Sequence, residues 1–302
     1  MPIPDLDALW DYPNPAATLD KFEAIVPSHK RAANLDVPDD HLDGLLQLLT
    51  QIARAQCLLR DYPAAHATLD RVDSVLAAHP PSALITPRVR ALLERGRCFN
   101  DVMQSDPAVE RFLAAWELST AHNLDFYAVD AAHMLGVVYG RPKDYLLEWN
   151  ERAMDLARRS PDPKAQRWVA TLQNNIGWTY HDLGRYADAL VLFEDALARR
   201  IEQGKPGPVR IARYAIHRTQ RLLGRVDDAL AGQKELSAEC ETSNDPDGYV
   251  YEEIGECLLT MGRRDDARPY FARAHALLSV NPWFPPNQPD RLARLKQLGE
   301  GS

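Results

Sequence analysis

Residues 174–197 read NNIGWTYHDLGRYADALVLFEDAL, from Asn174 to Leu197. On a helical period, Ile176, Gly177 and Tyr180 share one face before the glycine at 184. Ala189, Phe193 and Ala196 share one face after it. Gly184 stands where a helix would end in the left-handed conformation that glycine adopts most easily. The Asp that follows at 188 suits the positive start of the next helix. The stretch therefore predicts a helical hairpin with small residues at its seam. It holds no nucleophile with a base, no metal cage and no phosphate loop.

The hairpin recurs. GRYADA at Gly184, GRVDDA at Gly224 and GRRDDA at Gly262 align without gaps, their glycines 40 and 38 residues apart. The same frame finds Ile52, Ala53, Tyr62, Ala65, Leu69 and Val72, then Gly96, Phe99, Ala108, Phe112 and Ala115. It continues with Leu135, Gly136 and Tyr139, followed by a helix through Trp149 and Ala153. Ile216, Ala229 and Leu236 form a further copy, with His217 where glycine is usual. Ile254, Gly255, Leu258, Ala267, Phe271 and Ala274 form the last. Repeats start near Leu46, Val89, Val129, Ala170, Arg210 and Gly248, 38 to 43 residues apart. Strand patterns are absent. At the start, DYPNPAATLDKF at Asp11 echoes DYPAAHATLDRV at Asp61. That predicts a lone second helix from Pro15, with Asn14 as its cap. WFPPNQP breaks the pattern near the end, and PDRLARLKQLG after it reads as one amphipathic helix.

This pattern resembles the tetratricopeptide repeat, in its long form of about 40 residues against the usual ~34. Ile176, Gly177, Tyr180, Gly184, Tyr186, Ala189, Phe193 and Ala196 fill the family's positions, with Gln173 in place of its early Trp. Kinesin light chains and some bacterial regulatory proteins have repeats of this length. The resemblance implies an all-α, right-handed superhelical solenoid of antiparallel helix pairs, closed by capping helices. Its expected layout is a half-repeat cap and lead-in over 1–45, six repeats over 46–281 and a capping helix over 282–302.

The resemblance also implies that the first helix of each repeat lines a concave groove. On that frame the groove-facing residues include Arg54, Arg90, Arg97, Asn100, Asp130, His133, Asn174, Trp178, Ile211, Tyr214, Arg218, Arg221, Tyr249, Glu252 and Glu256. Arginine forks match carboxylates in two-point fashion. Asn pairs with both sides of an extended backbone, and Trp and Tyr supply contact area at low entropic cost. Arg54, Arg97, Asn100, His133, Asn174, Asn175, Trp178, Tyr214, Arg218 and Arg221 are therefore the expected partner-binding residues. Their expected ligand is an extended segment, acidic or C-terminal. The alternative stays open: the arginines pair with Asp130, Glu94 and Glu256, and Trp178 packs between repeats. Consecutive Asn is poor helix material, so Asn174 and Asn175 serve either a ligand or a neighbouring helix. Thr50, Arg54 and Glu94 do not meet the pattern of the family's carboxylate-clamp members, so chaperone C-termini are not expected.

The chain has 302 residues and a net charge of −8, with a pI near 5.6. That argues against general nucleic-acid binding. Cys57, Cys98, Cys240 and Cys257 are scattered, which fits reduced thiols in a cytoplasmic protein. No leader is read in MPIPDLDALWDYPNP, no apolar run spans a membrane, and the C-terminal GEGS carries no lipidation motif. Asp130 and His133 lie three apart on one face, but no nucleophile or recognised metal spacing accompanies them. GKPGP at Gly204 lacks the phosphate-loop spacing. The expectation is a protein with no cofactor and no metal: a cytoplasmic adaptor or scaffold for a protein or peptide partner, without nucleic acid or membrane. The oligomeric state is left open, a monomer included. The second reading is a sensor of a small signalling peptide or ligand. Its output would come from a partner, because about 40 residues before the first repeat hold neither a helix-turn-helix nor a signalling bundle.

Overall fold

The computed structural model describes residues 4–26, 39–204 and 206–300. Residues 27–38 of the expected lead-in, Lys205 of the GKPGP turn and the last two residues lie outside these. Every regular element among the described residues is a helix. The contacts divide the chain into two compact units, residues 1–172 and 173–302. The repeat frame alone runs through this boundary as one continuous array.

In the first unit, a 3-10 turn at Asp7–Leu9 precedes α1 (Pro15–Ile25), α2 (Asp39–Leu58), α3 (Tyr62–Ala77), α4 (Ile85–Asp101), α5 (Ser105–Ala121), α6 (Asp125–Leu135), α7 (Lys143–Arg159) and α8 (Pro163–Gln166). Helix α9 (Val169–Asp182) begins here and ends in the second unit. Asn14 caps α1, its Oδ1 accepting the N–H of Ala17 at 3.1 Å. Helix α2 starts seven residues ahead of the Leu46 repeat start. Leu42, Leu45, Leu46 and Leu49 give it an apolar stripe buried in one cluster with Phe22 of α1 and Leu69 of α3. The pairs α2–α3, α4–α5 and α6–α7 are antiparallel hairpins, and the first helices also touch in sequence, α2 on α4 and α4 on α6. That is the stacking by which helical repeats bury a continuous core.

The second unit continues with α10 (Tyr186–Glu202), α11 (Pro206–Leu222), α12 (Val226–Thr242), α13 (Gly248–Thr260), α14 (Arg264–Ser279), α15 (Phe284–Asn287) and α16 (Pro289–Glu300). Hairpins α11–α12 and α13–α14 repeat the same packing, α11 touches α13, and α16 lies on α14. WFPPNQP is thus partly helical: its Phe284–Asn287 turn stands between the last hairpin and the closing helix.

The recurring hexapeptide has a physical job at each position. Gly184, Gly224 and Gly262 hold φ of 75°, 82° and 76°, where a side chain would be strained. The next arginine is the N-cap, and it reaches forward to the Asp three residues on: Arg185–Asp188, Arg225–Asp228 and Arg263–Asp266, at 2.8, 3.4 and 2.8 Å. Ala189, Ala229 and Ala267 are buried at the seam. In the first two hairpins Arg60 and Met103 adopt the same left-handed turn without glycine.

A second device locks the hairpins. A Cβ added at Gly96, Gly177 or Gly255 would lie 2.4–2.8 Å from the ring of Phe112, Phe193 or Phe271. Each phenylalanine fills the notch its partner glycine leaves, and each is buried. In α6–α7 the notch at Gly136 is filled by Asn150, whose Nδ2 donates to the Gly136 carbonyl at 2.6 Å. In α11–α12 Gln233 takes the phenylalanine position, and the space comes from its neighbour Gly232. His217 takes the usual glycine position, and the opposing residue is Gly232, where a Cβ would meet the imidazole at 2.1 Å.

Candidate functional site

The expected partner-binding residues fall into two sets, one in each unit. In the first unit, Arg54 on α2, Glu94 and Arg97 on α4 and Asp130 on α6 form one chain of charge. Arg54 donates to Glu94 at 3.3 Å, Arg97 donates to Glu94 at 2.9 Å, and Arg97 grips both oxygens of Asp130 at 2.6 and 2.7 Å. Glu94 and Asp130 are buried. Burial alone would lower the Arg97 pKa, but Asp130 and Glu94 outweigh it and hold the guanidinium above its ordinary value. Of the two readings left open for these arginines, the geometry here is pairing within the protein. Arg90 likewise donates to Gln47 and to the Tyr127 hydroxyl, at 3.0 and 3.2 Å. Asn100 is turned to the backbone: its Oδ1 accepts the Tyr139 N–H at 3.0 Å.

His133 packs its ring 4.8 Å from Trp168. Burial drives its pKa down to about 4; Arg97 lowers it further, and Asp130 opposes. Asp130 is already held by Arg97, so the pair is built as a half-buried neutral imidazole beside an ion pair. This has a measurable consequence. An unfolded histidine takes up its proton near pH 6.5, and folded His133 does so only near pH 4. Between these values the unfolded state binds more protons. Stability therefore falls as pH falls, by up to about 1.4 kcal/mol per pH unit for one such group. His181 and His217 are shifted downward by burial in the same sense. The urea midpoint should drop steeply from pH 7 to pH 5, and less steeply in His133→Gln. Equal slopes for the two proteins would refute the assignment.

The second unit holds the other set. Glu253 of α13 is 1% exposed and lies between Arg218 and Arg221 of α11, 3.2 Å from Arg218 Nη1 and 2.9 Å from Arg221 Nε. On α16, Arg291 clasps the buried Glu252 at 2.7 and 2.6 Å, and Arg294 pairs with Glu256. Above these charges runs a row of rings: Trp178 and Tyr214 6.4 Å apart, Tyr214 and Tyr249 6.4 Å apart, Tyr249 and Phe284 5.7 Å apart. Arg218 donates to the Tyr214 hydroxyl at 3.0 Å and sits 6.0 Å over the Trp178 ring, while its buried Nε has no hydrogen-bond partner. Burial pushes the Tyr214 phenol up, so it stays protonated.

Trp178, Tyr214 and Tyr249 line a cleft of about 400 Å³, within the usual range for ligand sites, ~300–1,000 Å³. Asp182, Arg210, Ile211, Arg218, Asp247 and Arg291 complete its lining. The three guanidiniums are each paired behind the lining, Arg210 with Asp245 at 2.7 Å, Arg218 with Glu253 at 3.2 Å and Arg291 with Glu252 at 2.6 Å, so the cleft offers rings and shared cations rather than an uncompensated charge. Trp178 packs 5.1 Å from Phe193 and also borders the cleft.

Of the ten expected residues, Trp178, Tyr214 and Arg218 meet at this cleft. Arg221 stands behind them on Glu253. Asn174 faces α10, where Arg200 approaches its Oδ1 at 3.5 Å; Asn175 is half-buried on the same helix. Arg54, Arg97, Asn100 and His133 belong to the first unit. Sequence reading passed over Ile211 and Tyr249 although both held groove positions, because neither carried a charge or a distinctive pattern. Arg210 and Asp247 sit at repeat junctions, and Arg291 lies on the closing helix, so the repeat frame assigned them no groove position.

The fold defines a repeat protein of the tetratricopeptide type. Residues 130–202 match the tetratricopeptide repeat family model, and the hairpins on either side are built alike. The apo form of RapI has a similar fold, with a TM-score of 0.67 at 12% identity, covering 96% of this chain and 83% of that one. A tetratricopeptide repeat protein from Parabacteroides merdae gives 0.51 at 16%, covering 99% and 97%. NprR in complex with its cognate peptide NprX gives 0.54 at 14%, covering 97% and 80%. No curated protein matches the chain by sequence. Among the described residues no helix is long and apolar enough to cross a membrane, and no three His, Cys, Asp or Glu side chains form a metal cage.

Proposed function

We propose that the protein is a non-catalytic, cytoplasmic interaction protein, an adaptor or scaffold that binds an extended segment of a partner protein, anchored in the cleft of the second unit. The observation that carries this reading is the aromatic lining of Trp178, Tyr214 and Tyr249 beside the Arg210, Arg218 and Arg291 rim. A large apolar side chain of the ligand lies on the rings, since aromatic surface anchors a chain at low entropic cost. A neighbouring carboxylate, from an acidic residue or a C-terminus, shares the guanidiniums of the arginine rim with Glu253, Glu252 and Asp245. The sequence expectation spread the arginine contacts over both units. Arg54 and Arg97 pair with Glu94 and Asp130, and Arg218 and Arg291 pair with Glu253 and Glu252, so the weight moves from the arginines to the aromatic surface of the cleft.

A receptor for a short signalling peptide is the second reading, and NprR with its cognate peptide NprX is a protein of similar fold that supports it. The test is selection of peptides with free C-termini from a displayed random library, followed by fluorescence anisotropy of the winners. Ile211 is 51% exposed on the cleft wall, so Ile211→Glu blocks the cleft without disturbing the core. It should cut affinity tenfold or more, a loss of about 1.4 kcal/mol, while the urea midpoint holds. Selected peptides that bind Ile211→Glu and Trp178→Ala as tightly as the wild type would overturn the cleft as the site.

A further inference from the structure

The first unit already holds a peptide-like segment, and it is the chain's own. Residues 4–12, PDLDALWDY, carry little structure of their own: one 3-10 turn, closed by Leu9 N–H donating to the Leu6 carbonyl. Side chains hold them in place instead. Leu6 is 7% exposed and joins the core cluster of α1, α2 and α3. Asp7 accepts from Lys164 of α8 at 2.7 Å. The Trp10 indole N–H donates to Gln51 of α2 at 2.9 Å. Trp10 and Tyr12 stack at 4.8 Å, and the Arg54 guanidinium lies 5.7 Å from each ring. Beside the acidic end of the segment is a polar pocket of about 250 Å³. Asp5 and Asp7 line it from the segment, and Gln47, Arg90, Tyr127 and Lys164 line it from four different helices.

These are the contacts a linear-motif site makes: one aliphatic side chain in an apolar hole, aromatics against a guanidinium, and carboxylates beside a basic pocket. We infer that this face of the first unit is a second peptide-binding surface, that residues 4–12 are its internal occupant, and that a partner segment of the same chemistry binds by displacing them. That chemistry is acidic, with an aliphatic residue followed by aromatics. Exchange suits the geometry better than simple opening. Lifting the segment away uncovers the Leu6 hole and the Arg54 guanidinium, and an incoming segment covers both again. The hinge is local, because Asp11 exchanges backbone hydrogen bonds with the Thr18 hydroxyl of α1 at 2.9 and 3.2 Å. Short tethering gives the internal segment a high effective concentration. The surface therefore reads as weak toward a free peptide until the occupant is loosened.

The probe is a fluorescein-labelled synthetic peptide of residues 4–13, added to the full chain and followed by anisotropy. The variant Asp7→Lys alters only an exposed ion pair, so it leaves folding intact while turning the occupant against Lys164. It should bind the peptide at least fivefold more tightly than the wild type, and Leu6→Asp with Trp10→Ala at least tenfold. Adding Lys164→Glu and Arg54→Glu should abolish the gain. Saturating peptide should also speed hydrogen exchange at residues 6–10 of the wild type. Asp7→Lys that keeps the wild-type urea midpoint and binds no more tightly overturns the proposal, whether or not the double variant folds. Ile211→Glu should change none of these readings, so failure here leaves the second-unit cleft untouched.

Discussion

Gly232→Phe should unfold the second unit's α11–α12 hairpin on its own and be rescued by His217→Gly. A side chain at 232 enters the space held by the His217 imidazole, since even its Cβ would come within 2.1 Å of that ring. Overpacking of this kind costs about 1–3 kcal/mol and at times more. His217→Gly alone costs about 0.5 kcal/mol in helix propensity and loses the hydrogen-bond contact of Nδ1 with Gln220 at 3.0 Å. It also opens a cavity beside Gly232, for a total of about 3 kcal/mol on the scale of large-to-small changes. The double variant seats the new ring in the space the imidazole leaves; its register is one residue short of the Gly177–Phe193 and Gly255–Phe271 pairs, whose counterpart on α12 is Gln233. Its coupling should be favourable by about 2–3 kcal/mol, at the upper end for residues in contact. Urea midpoints of the four proteins measure it. Simple additivity of the two losses would show that the pair is not an interlock.

Glu253→Leu should be the most destabilising single change in the charged layer. Its carboxylate is buried and is shared by Arg218 and Arg221. Burial alone would lower both arginine pKa values; for Arg218 the Tyr214 hydroxyl and Glu253 outweigh it, and for Arg221 Glu253 does. Removing the carboxylate strands two cations, and breaking a buried pair this way costs about 3–5 kcal/mol. For a unit of this size the thermal midpoint should fall by about 10 °C. The triple variant Glu253→Leu, Arg218→Met, Arg221→Met removes all three charges and should recover most of the loss, because an apolar replacement of a buried ionic group is often neutral. Scanning calorimetry separates the two outcomes. A single variant as stable as the wild type would mean that water, not Glu253, solvates the arginines. The triple variant should nonetheless lose peptide affinity, since Arg218 borders the cleft.

Much of the fold is legible in the sequence. GRYADA, GRVDDA and GRRDDA announced three hairpin turns, and each glycine takes a positive φ. Gly177 and Phe193 announced a close seam, and the phenylalanine ring fills the space over the glycine. Pro15 after Asn14 announced the start of α1. The odd residue His217 was visible too, but its compensation at Gly232 was not, since nothing in the repeat pattern marks that position on the second helix.

The site was less legible. Helical period assigns a face to a residue and says nothing of what stands opposite. Arg54, Arg97, Arg218 and Arg221 were read as a basic groove awaiting an acidic ligand. Glu94 and Glu253, each standing among the inner helices, take up those charges. Arg291 enters from a closing helix outside the repeat frame, and residues 4–12 return across the first unit to Lys164 and Arg54.

The sequence by itself determined the hairpins, their turns and their small-residue seams. Each is a contact between residues about 10 to 25 positions apart, set by helical period, glycine and side-chain size. Tertiary structure alone decided which charges neutralise one another, which rings line one cleft and where the N-terminal segment lies. Those contacts join residues about 30 to 160 positions apart, and they depend on the register and tilt between successive hairpins and on the rotamers of long side chains. Periodicity carries no information about these.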